Sequence, residues 1–274
     1  MSKVWLITGA SRGLGRAFTE EILKAGDRVV AAARNPEQLA EVASKFGESV
    51  RTVSLDVTNE AQAKRAVDAE IETFGGLDVL VNNAGYGYVC PVEDTPLTDF
   101  RAQIETNLFG VIIMTKAVLP YFRERAPGHV IQIASIGGRV GPTGRAAYAA
   151  AKFGVEGFSE SLCKEVGPLG IKITIVEPGG FRTDFAGSST GLRVGRPEYD
   201  ATVGATVRFQ QPGDPVKAAA ALLHIASLPN PPLRLLLGSD AYNAAEQHAL
   251  QILGFDKEWK DLSISTDYKV PNFV

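Results

Sequence analysis

Residues 4–15 read VWLITGASRGLG, a short apolar run that passes directly into three glycines. The run Val4–Thr8 is continuous rather than alternating, which predicts a strand buried on both faces. The periodic residues that follow predict a helix over Gly13–Ala25. A glycine-rich turn between a strand and a helix lets backbone N–H groups approach a pyrophosphate, which the positive end of the helix stabilises. The stretch therefore predicts a dinucleotide-binding turn. Its residues are Gly9, Ser11, Arg12, Gly13, Leu14 and Gly15.

The same alternation of strand and helix patterns continues to about residue 240. The other predicted strands are Arg28–Ala33, Val50–Leu55, Asp78–Val81, His129–Ala134, Ile171–Val176 and Leu233–Leu237. The other predicted helices are Pro36–Phe46, Asn59–Phe74, Leu97–Arg125, Ala146–Gly167 and Asp214–Ala226. Because right-handed crossovers join parallel strands, this order predicts one doubly wound α/β (Rossmann) domain, a parallel sheet of about seven strands with helices on both faces. We expect this domain to cover residues 1–255 and a tail to cover 256–274.

The composition argues against several classes of protein. The chain has 274 residues, 45% of them hydrophobic, so it can bury a sizeable core and is not expected to be disordered. A formal charge of −3 without a basic cluster argues against nucleic acid or an anionic membrane as the main partner. No stretch approaches the ~20 apolar residues that span a bilayer, and no signal-peptide core is evident, so a cytoplasmic protein is expected.

Cysteine and histidine residues give no sign of a metal site. Cys90 and Cys163 lie far apart without metal-ligand spacing near either, and His129, His224 and His248 are scattered. We therefore expect reduced thiols, structural histidines and no bound metal.

Two features of the sequence indicate which nucleotide is bound. They are the spacing of the glycines and the residues at the end of the second strand. The turn has the spacing Gly-x-x-x-Gly-x-Gly, and no Lys-Ser or Lys-Thr follows it, so it is not a Walker loop. Folds that bind NAD usually place a carboxylate at the end of the second strand, to accept a hydrogen bond from the ribose 2′-hydroxyl. Here that strand ends at Ala33, followed by Arg34. Arg34 and Arg12 suit a 2′-phosphate, and the less favoured alternative is that both are solvated surface charges. We predict that NADP(H) is preferred over NAD(H).

Three polar residues beyond the turn form a candidate catalytic set. Ser135 closes a predicted strand, and Tyr148 and Lys152 lie four residues apart on one face of a predicted helix. An ammonium beside a phenol favours the ionised form and lowers a pKa that is ordinarily about 10. A phenol tuned in this way can give or take a proton near neutral pH. Each residue alone is commonplace, but the set favours acid–base catalysis by Tyr148, with Ser135 on the same substrate oxygen.

At this point the chain resembles the short-chain dehydrogenase/reductase family in its single-domain form. The resemblance extends from Thr8 to about Ala241, and several motifs agree in order and spacing. They are Thr8-Gly9-x-x-x-Gly13-x-Gly15, Asp56-Val57, Asn82-Asn83-Ala84-Gly85, Asn107, Ser135, Tyr148-x-x-x-Lys152 and Pro178-Gly179. The ordered set is far more specific than any single motif.

The resemblance implies a role for each matched residue. Tyr148 is then the general acid/base, Ser135 polarises the carbonyl or alcohol, and Lys152 lowers the pKa of Tyr148 and binds the nicotinamide ribose. Asn107 is implied to hold a water that relays protons to Lys152. The residues implied to contact the cofactor elsewhere are Asp56 and Val57 at the adenine, Asn82, Asn83, Ala84 and Gly85 beside the fourth strand, and Pro178, Gly179 and Thr183 at the nicotinamide.

The substrate is expected to be a small carbonyl compound or secondary alcohol bound in an apolar site. Residues 185–213 lack strong periodicity and follow a strand end, which favours a substrate-binding loop over a passive insertion. The aromatic residues expected to line the site with Ser135 and Tyr148 are Tyr86, Tyr88, Phe181 and Phe185. They favour a steroid, retinoid, aryl ketone or acyl chain, and the equal alternative is that the same rings only pack the loops.

Two other functions stay open on the sequence alone. One is an NAD-linked alcohol dehydrogenase of the same fold, and the other is a non-catalytic NADP(H)-binding sensor. An epimerase or dehydratase of the longer relatives is disfavoured, because the chain lacks the larger substrate domain. The resemblance also implies a homodimer or homotetramer.

Overall fold

The computed structural model describes residues 2–125, 128–183, 190–192, 195–207 and 211–268. Nine strands lie within these ranges. They are β1 Val4–Thr8, β2 Arg28–Ala33, β3 Val50–Ser54, β4 Val79–Asn82, β5 Gly87–Val89, β6 His129–Ile133, β7 Lys172–Pro178, β8 Thr190–Leu192 and β9 Arg234–Leu237. Seven of them form one parallel sheet in the order β3-β2-β1-β4-β6-β7-β9. The predicted seven-stranded Rossmann fold is confirmed, and each of its strands begins and ends within two residues of its predicted bounds.

The described residues also form nine α-helices. They are α1 Gly13–Lys24, α2 Ala40–Phe46, α3 Glu60–Phe74, α4 Leu97–Ile104, α5 Gly110–Arg125, α6 Ala146–Val166, α7 Pro215–Ser227, α8 Ser239–Glu258 and α9 Lys260–Ile264. The predicted helix Leu97–Arg125 consists of α4 and α5 joined by a π-helical turn over Glu105–Phe109. Helices α8 and α9 were not predicted, and α8 crosses the expected start of the tail at residue 256.

The two faces of the sheet bury different side chains of the same strand. In β1, Trp5 and Ile7 pack with Phe18 of α1 and with α7, whereas Leu6 packs with Met114 of α5 and with α3. Successive side chains of a strand point to opposite faces, so a continuous apolar run supplies both cores. The doubly wound arrangement follows from this pattern.

The chain order of the sheet reverses between β1 and β4. Leu6 of β1 pairs with Val30 of β2 on one side and with Leu80 of β4 on the other. The chain therefore runs from β1 to β2 on one side of the sheet and from β4 to β6 on the other. The loops that follow β1 and β4 turn in opposite directions and leave a crevice between the carboxyl ends of these strands. Doubly wound sheets bind ligands in the crevice at this switch point.

One described helical stretch, Leu97–Arg125, is long and apolar enough to cross a membrane by length and composition. Its side chains Met114, Val118 and Phe122 are nevertheless at most 1% exposed in the core of the sheet. A core helix passes the same test, so the stretch is weak evidence for a membrane span.

Helices α8 and α9 extend from the edge of the sheet. Ala241 and Ala245 near the start of α8 are buried, but every residue from 249 to 268 is exposed. Gly238 precedes α8 without a side-chain cap, and the apolar residues of its second half form no buried stripe. A surface helix is predicted from an apolar stripe that faces the core, and the second half of α8 has no such stripe. The sequence pattern therefore did not predict this helix.

Candidate active site

A cavity of about 940 Å³ opens at the carboxyl ends of the central strands. Most of the residues predicted to bind a cofactor line it. They are Gly9, Ser11, Arg12, Gly13, Leu14, Arg34, Asp56, Val57, Asn83, Ala84, Gly85, Tyr148, Lys152, Pro178, Gly179 and Thr183. The topology thus brings together segments that lie more than 150 residues apart in the sequence.

The glycine-rich turn has the backbone that a phosphate cradle needs. Gly9 and Gly13 have φ angles of 65° and 58°, in the left-handed region that favours glycine. A Cβ at Gly9 would lie 2.8 Å from Ala84 Cα, so the backbone of the loop after β4 passes close by. Gly15 does not line the cavity: a Cβ there would collide with the carbonyl of Gly9. Gly15 therefore permits close packing inside the turn.

Side chains of β1 and the loop after β4 fix the turn in place. The Thr8 hydroxyl accepts hydrogen bonds from the backbone N–H groups of Asn83 and Ala84, both at 3.0 Å. The Asn83 side chain donates to the carbonyl of Thr8 at 2.9 Å. Asn82 points instead into the core, where it donates to Gln132 at 2.8 Å. Alternation along the strand accounts for the different roles of the two asparagines.

The far end of the cavity carries a mixed set of charges. Arg12 and Arg34 are exposed and line it, and Ala33 at the end of β2 contributes only a methyl group. The Asp56 carboxylate accepts hydrogen bonds from Thr58 N at 3.0 Å and Oγ1 at 2.8 Å. These bonds, and then the charge of Arg34, lower the pKa of Asp56 below its ordinary value. The carboxylate therefore stays ionised near neutral pH.

The predicted catalytic set converges at the opposite end. Tyr148 is 7% exposed and Lys152 4% exposed, one turn apart on α6. Ser135, at the end of β6, forms a hydrogen bond with Tyr148. The Lys152 ammonium donates to the carbonyl of Ile133 at 2.7 Å and lies 5.7 Å from the centre of the Tyr148 ring. A proton donor, a hydroxyl and a cation thus share one pocket.

The pKa values of this set differ from the sequence expectation. Burial raises the pKa of the Tyr148 phenol above its ordinary value, and the hydrogen bond to Ser135 and the charge of Arg145 oppose that rise. Burial also lowers the pKa of Lys152 to about 8, against the attraction of Glu156. The sequence predicted a lowered Tyr148 pKa, because helical spacing reveals the neighbouring cation but not the desolvation of the phenol.

Asn107 is buried beneath the cavity and does not line it. Its side-chain oxygen accepts from Tyr86 N at 3.0 Å, and its amide donates to Tyr86 O at 2.8 Å. A Cβ at Gly85 would lie 2.6 Å from the same oxygen. The side chain therefore holds the backbone of the loop after β4.

The predicted substrate residues divide into three groups. Tyr86 and Phe181 line the cavity with Ser135 and Tyr148, as expected. Tyr88 does not: it is buried in β5, whereas the next residue, Val89, lines the cavity. Neighbouring side chains of a strand point to opposite sides, which the sequence alone could not assign here. Phe185 lies outside the described residues. From the expected substrate loop, Thr206 and Gln211 line the cavity.

Several cavity residues were not predicted, among them Asp240 and Arg145. Asp240, in the first turn of α8, accepts from Gly180 N at 2.7 Å through one oxygen, while its buried Oδ1 has no hydrogen-bond partner among the described residues. Arg145 lies three residues before Tyr148 and also lines the cavity. Asp240 belongs to a helix that had no sequence signal. The only sequence signal that could have identified Arg145 was its position three residues before Tyr148.

The donors and acceptors around the cavity fit a nicotinamide dinucleotide. The left-handed Gly9 and Gly13 offer backbone N–H groups, Arg12 and Arg34 offer positive charge at one end, and Asp240 offers an unpaired acceptor near the other. Among the residues that the structure describes, no group of three His, Cys, Asp or Glu side chains is placed to hold a metal ion.

Comparison with known proteins agrees with this geometry. The sequence model of the family described as short chain dehydrogenase matches residues 3–191. Oxidoreductase BOA17 of Botryotinia fuckeliana is 46% identical over 97% of this chain and 100% of its own length. The crystal structure of a short-chain dehydrogenase from Streptomyces avermitilis superposes with a TM-score of 0.93 at 40% identity, covering 98% of this chain and 100% of that one.

Two further solved structures contain nicotinamide cofactors. ElxO with NADP bound has a TM-score of 0.76 and 27% identity, covering 89% of this chain and 100% of its own. A 3-ketoacyl-(acyl-carrier-protein) reductase from Brucella melitensis, complexed with NADH, has a TM-score of 0.71 and 28% identity, covering 82% and 91%.

Proposed function

Because the chain belongs to the short-chain dehydrogenase family of oxidoreductases, we propose that it interconverts a carbonyl compound and a secondary alcohol with NADP(H). The observation that carries the proposal is the cavity shared by the glycine-rich turn and Tyr148. A nucleotide cradle and a buried proton donor within one cavity suit transfer of a hydride and a proton to the same carbonyl group.

The residues that would hold the cofactor lie along this cavity. The turn at Gly9–Gly15 and Thr183 would bind its phosphates and nicotinamide side, while Asp56 and Val57 would contact its adenine. The bound reduced nicotinamide supplies the hydride. Two features favour NADP(H) over NAD(H): Arg12 and Arg34 beside the far end, and Ala33 where NAD-binding folds usually carry a carboxylate. Solved relatives contain either form, so the preference rests on these residues.

Tyr148 is the proposed general acid in the direction of reduction. Burial raises its pKa, so the phenol carries its proton at neutral pH and can give it to the developing alkoxide. Ser135 donates a hydrogen bond to the same oxygen and stabilises its developing charge. The Lys152 ammonium donates to the carbonyl of Ile133 and places a positive charge near the Tyr148 ring. Asn107 positions the loop that carries Tyr86, and a water on its main chain is the proposed link to Lys152.

The substrate side favours an apolar body next to the reacting carbon. Tyr86, Val89, Phe181 and Pro142 line this part of the cavity. Such a lining suits a steroid, retinoid, aryl ketone or acyl chain better than a small polar carbonyl compound. Residues 185–213, part of which lies outside the described residues, are proposed to complete the site.

A carbonyl and alcohol panel with all four nicotinamide cofactors tests the proposal. We expect aryl ketones to be reduced with NADPH and the rate to follow the absorbance of the reduced cofactor. The Tyr148→Phe variant is expected to lose about 100-fold or more in kcat, since an oriented donor at a developing alkoxide is typically worth ~3–4 kcal/mol. Its Kd for NADPH, measured by fluorescence titration, should stay within about twofold, because the phenol oxygen contributes little to uniform binding.

Two results would contradict this assignment. Undiminished turnover in Tyr148→Phe would remove the proposed acid. Oxidation of NADPH that depends on no carbonyl compound of the panel would favour a cofactor-binding sensor instead. The conservative control is Tyr121→Phe, which removes a phenol oxygen on α5 without touching the cavity lining.

Two further proposals concern the oligomeric state of the chain and its location in the cell. We propose that the chain forms a homodimer or homotetramer, as its exposed apolar side chains on α8 and α9 favour. The absence of nucleic acid and membrane partners and the cytoplasmic location stay predictions, checked by cell fractionation.

A further inference from the structure

Arg145 lies at the entrance to α6, in a loop whose backbone is firmly held. Cys90 N donates to Gly144 O at 2.8 Å, and Arg145 N donates to Pro142 O at 3.2 Å. Gly144 has a φ of 74°, and a Cβ there would lie 2.7 Å from Val203 Cγ1. The loop is thus packed between β5 and the segment around Val203. This packing fixes where the Arg145 side chain enters the cavity.

The side chain enters the substrate end of the cavity. Its neighbours along the chain, Pro142 and Thr143, line the cavity together with Val89 and Thr206, and Tyr148 follows one turn later on α6. The glycine-rich turn and Arg34 belong to the other end, around β1 and β2. Arg145 is therefore placed to meet a substrate rather than the adenosine half of a nucleotide.

The positive charge of Arg145 is poorly compensated. The side chain is half-buried, and burial lowers its pKa, opposed by the nearby phenol of Tyr148. No described carboxylate forms a salt bridge with it. It also occupies the N-cap position of α6, where the helix dipole disfavours a cation. A half-buried cation without an ion-pair partner at a helix N-terminus is stabilised when an anion binds there.

The described carboxylates of the cavity form no ion pair with Arg145. Asp56 is bound to Thr58, and Asp240 is bound to Gly180. Glu105 is exposed on the π-helical turn and makes no ion pair with Arg145 among the described residues. None of the described carboxylates of the cavity therefore pairs with Arg145, and its guanidinium is left for another anion.

We propose that Arg145 binds a carboxylate of the substrate, so the preferred substrates are keto acids or hydroxy acids with an apolar body. The inference rests on the proposed function, since it needs a carbonyl substrate in the same cavity. A guanidinium binds a carboxylate through two parallel hydrogen bonds. A single arginine matches a monoanion better than a phosphate dianion, and the other described cation at this end, Lys152, donates to Ile133.

Matched ketones that differ only in charge test the inference. We would compare 4-acetylbenzoate with 4-acetylbenzamide, and the corresponding 3-isomers, as substrates with NADPH. Wild type is expected to prefer the acid in at least one pair. In Arg145→Gln the ratio of kcat/KM for acid over amide should fall about 10- to 100-fold, the usual worth of a hydrogen bond to a charged group. Arg145→Lys should restore part of the ratio. Arg65→Gln, an exposed charge on α3, is the matched control and should leave the ratio unchanged.

A binding measurement separates this inference from the proposed function. Calorimetric titration of 4-acetylbenzoate into the NADP⁺-loaded chain should show binding that Arg145→Gln loses. Reduction of the amides together with an unchanged acid-to-amide ratio in Arg145→Gln would overturn the inference and leave the proposed function standing. Equal losses on acid and amide, with a shifted pH profile, would also overturn it, because Arg145 would then act through Tyr148. Binding that depends on Arg145 without any turnover would support the site and count against the proposed reaction.

Discussion

At the scale of single residues, the proposed cofactor preference depends on one methyl group at the end of β2. Ala33 lines the cavity between Arg34 and Leu55, and its side chain carries neither charge nor hydrogen-bonding capacity. A carboxylate at this place would accept hydrogen bonds from ribose hydroxyls and repel a 2′-phosphate. Arg34 already lowers the pKa of Asp56 across this end of the cavity, so the region responds to charge.

Ala33→Asp is therefore expected to reverse the cofactor preference. The new carboxylate opposes a 2′-phosphate and accepts from a 2′-hydroxyl, and we expect the ratio of kcat/KM for NADPH over NADH to fall about tenfold or more. Initial rates at several cofactor concentrations measure the ratio. Ala33→Asn, similar in size but neutral, should change it much less. If both variants kept the wild-type ratio, the assignment of this end to the 2′-phosphate would be wrong.

At the scale of an element, α6 carries a line of polar side chains into the protein. Tyr148, Lys152 and Glu156 are spaced four residues apart on one face, and all three are buried. Glu156 accepts from Arg234 of β9 at 2.9 Å and lies beside Glu177 of β7, which Arg139 holds at 2.7 Å. The helix thus joins the proposed site to the edge of the sheet through a buried charge network.

This network predicts a particular dependence of stability on pH. Burial, followed by the neighbouring carboxylate of Glu177, raises the pKa of Glu156 from 4.5 to about 7, against the charge of Arg234. Between these values the folded chain binds more protons than the unfolded chain. The contribution of Glu156 to the free energy of unfolding is therefore fully present below pH 4.5 and is lost as the pH rises through 7.

Replacing Glu156 by Gln removes this titration. We expect the difference in free energy of unfolding, wild type minus Glu156→Gln, to decrease steadily from pH 5 to pH 8, as measured by urea denaturation. Glu160→Gln is the control on the same helix, because Arg234 and Lys164 lower the pKa of Glu160 and its difference should not fall over this range. Parallel pH profiles for wild type and Glu156→Gln would show that Glu156 is ionised throughout.

At the scale of the whole molecule, the projecting end of α8 with α9 is the most unusual feature. Large apolar side chains there are exposed: Phe255 is 63% exposed, Trp259 58% and Leu262 62%. They lie within seven residues of one another, across the junction of α8 and α9. Burying such side chains is worth ~1.5–3 kcal/mol each, so covering them would stabilise an assembly substantially.

We expect the combined change Phe255→Glu and Trp259→Glu to weaken self-association of the full chain. The introduced charges would have to be desolvated in any contact that covers positions 255 and 259. Multi-angle light scattering over a range of concentrations measures the mass of the assembly. Lys257→Glu, which changes a charge at an already polar position, is the control. A wild-type chain that stays monomeric at tens of micromolar would refute the expected oligomer.

Much of the molecule was determined by local sequence. Continuous apolar runs specify strands buried on both faces, as in Val4–Thr8, because both cores draw on the same strand. Glycines at 9 and 13 specify the turn, because only glycine adopts those φ angles without strain. The spacing of Tyr148 and Lys152 places them on one face of a helix. These features depend on neighbours within a few residues, so a single sequence shows them.

Other features were decided only when distant segments packed together. The raised pKa of Tyr148 comes from burial by loops far along the chain, and the exclusion of Tyr88 from the cavity depends on which side of β5 faces α6. Asp240 reaches the cavity because β9 ends beside β7, and Arg145 faces it because Gly144 is held by β5. Burial and the direction of a side chain are properties of the assembled layers, so no local pattern encodes them.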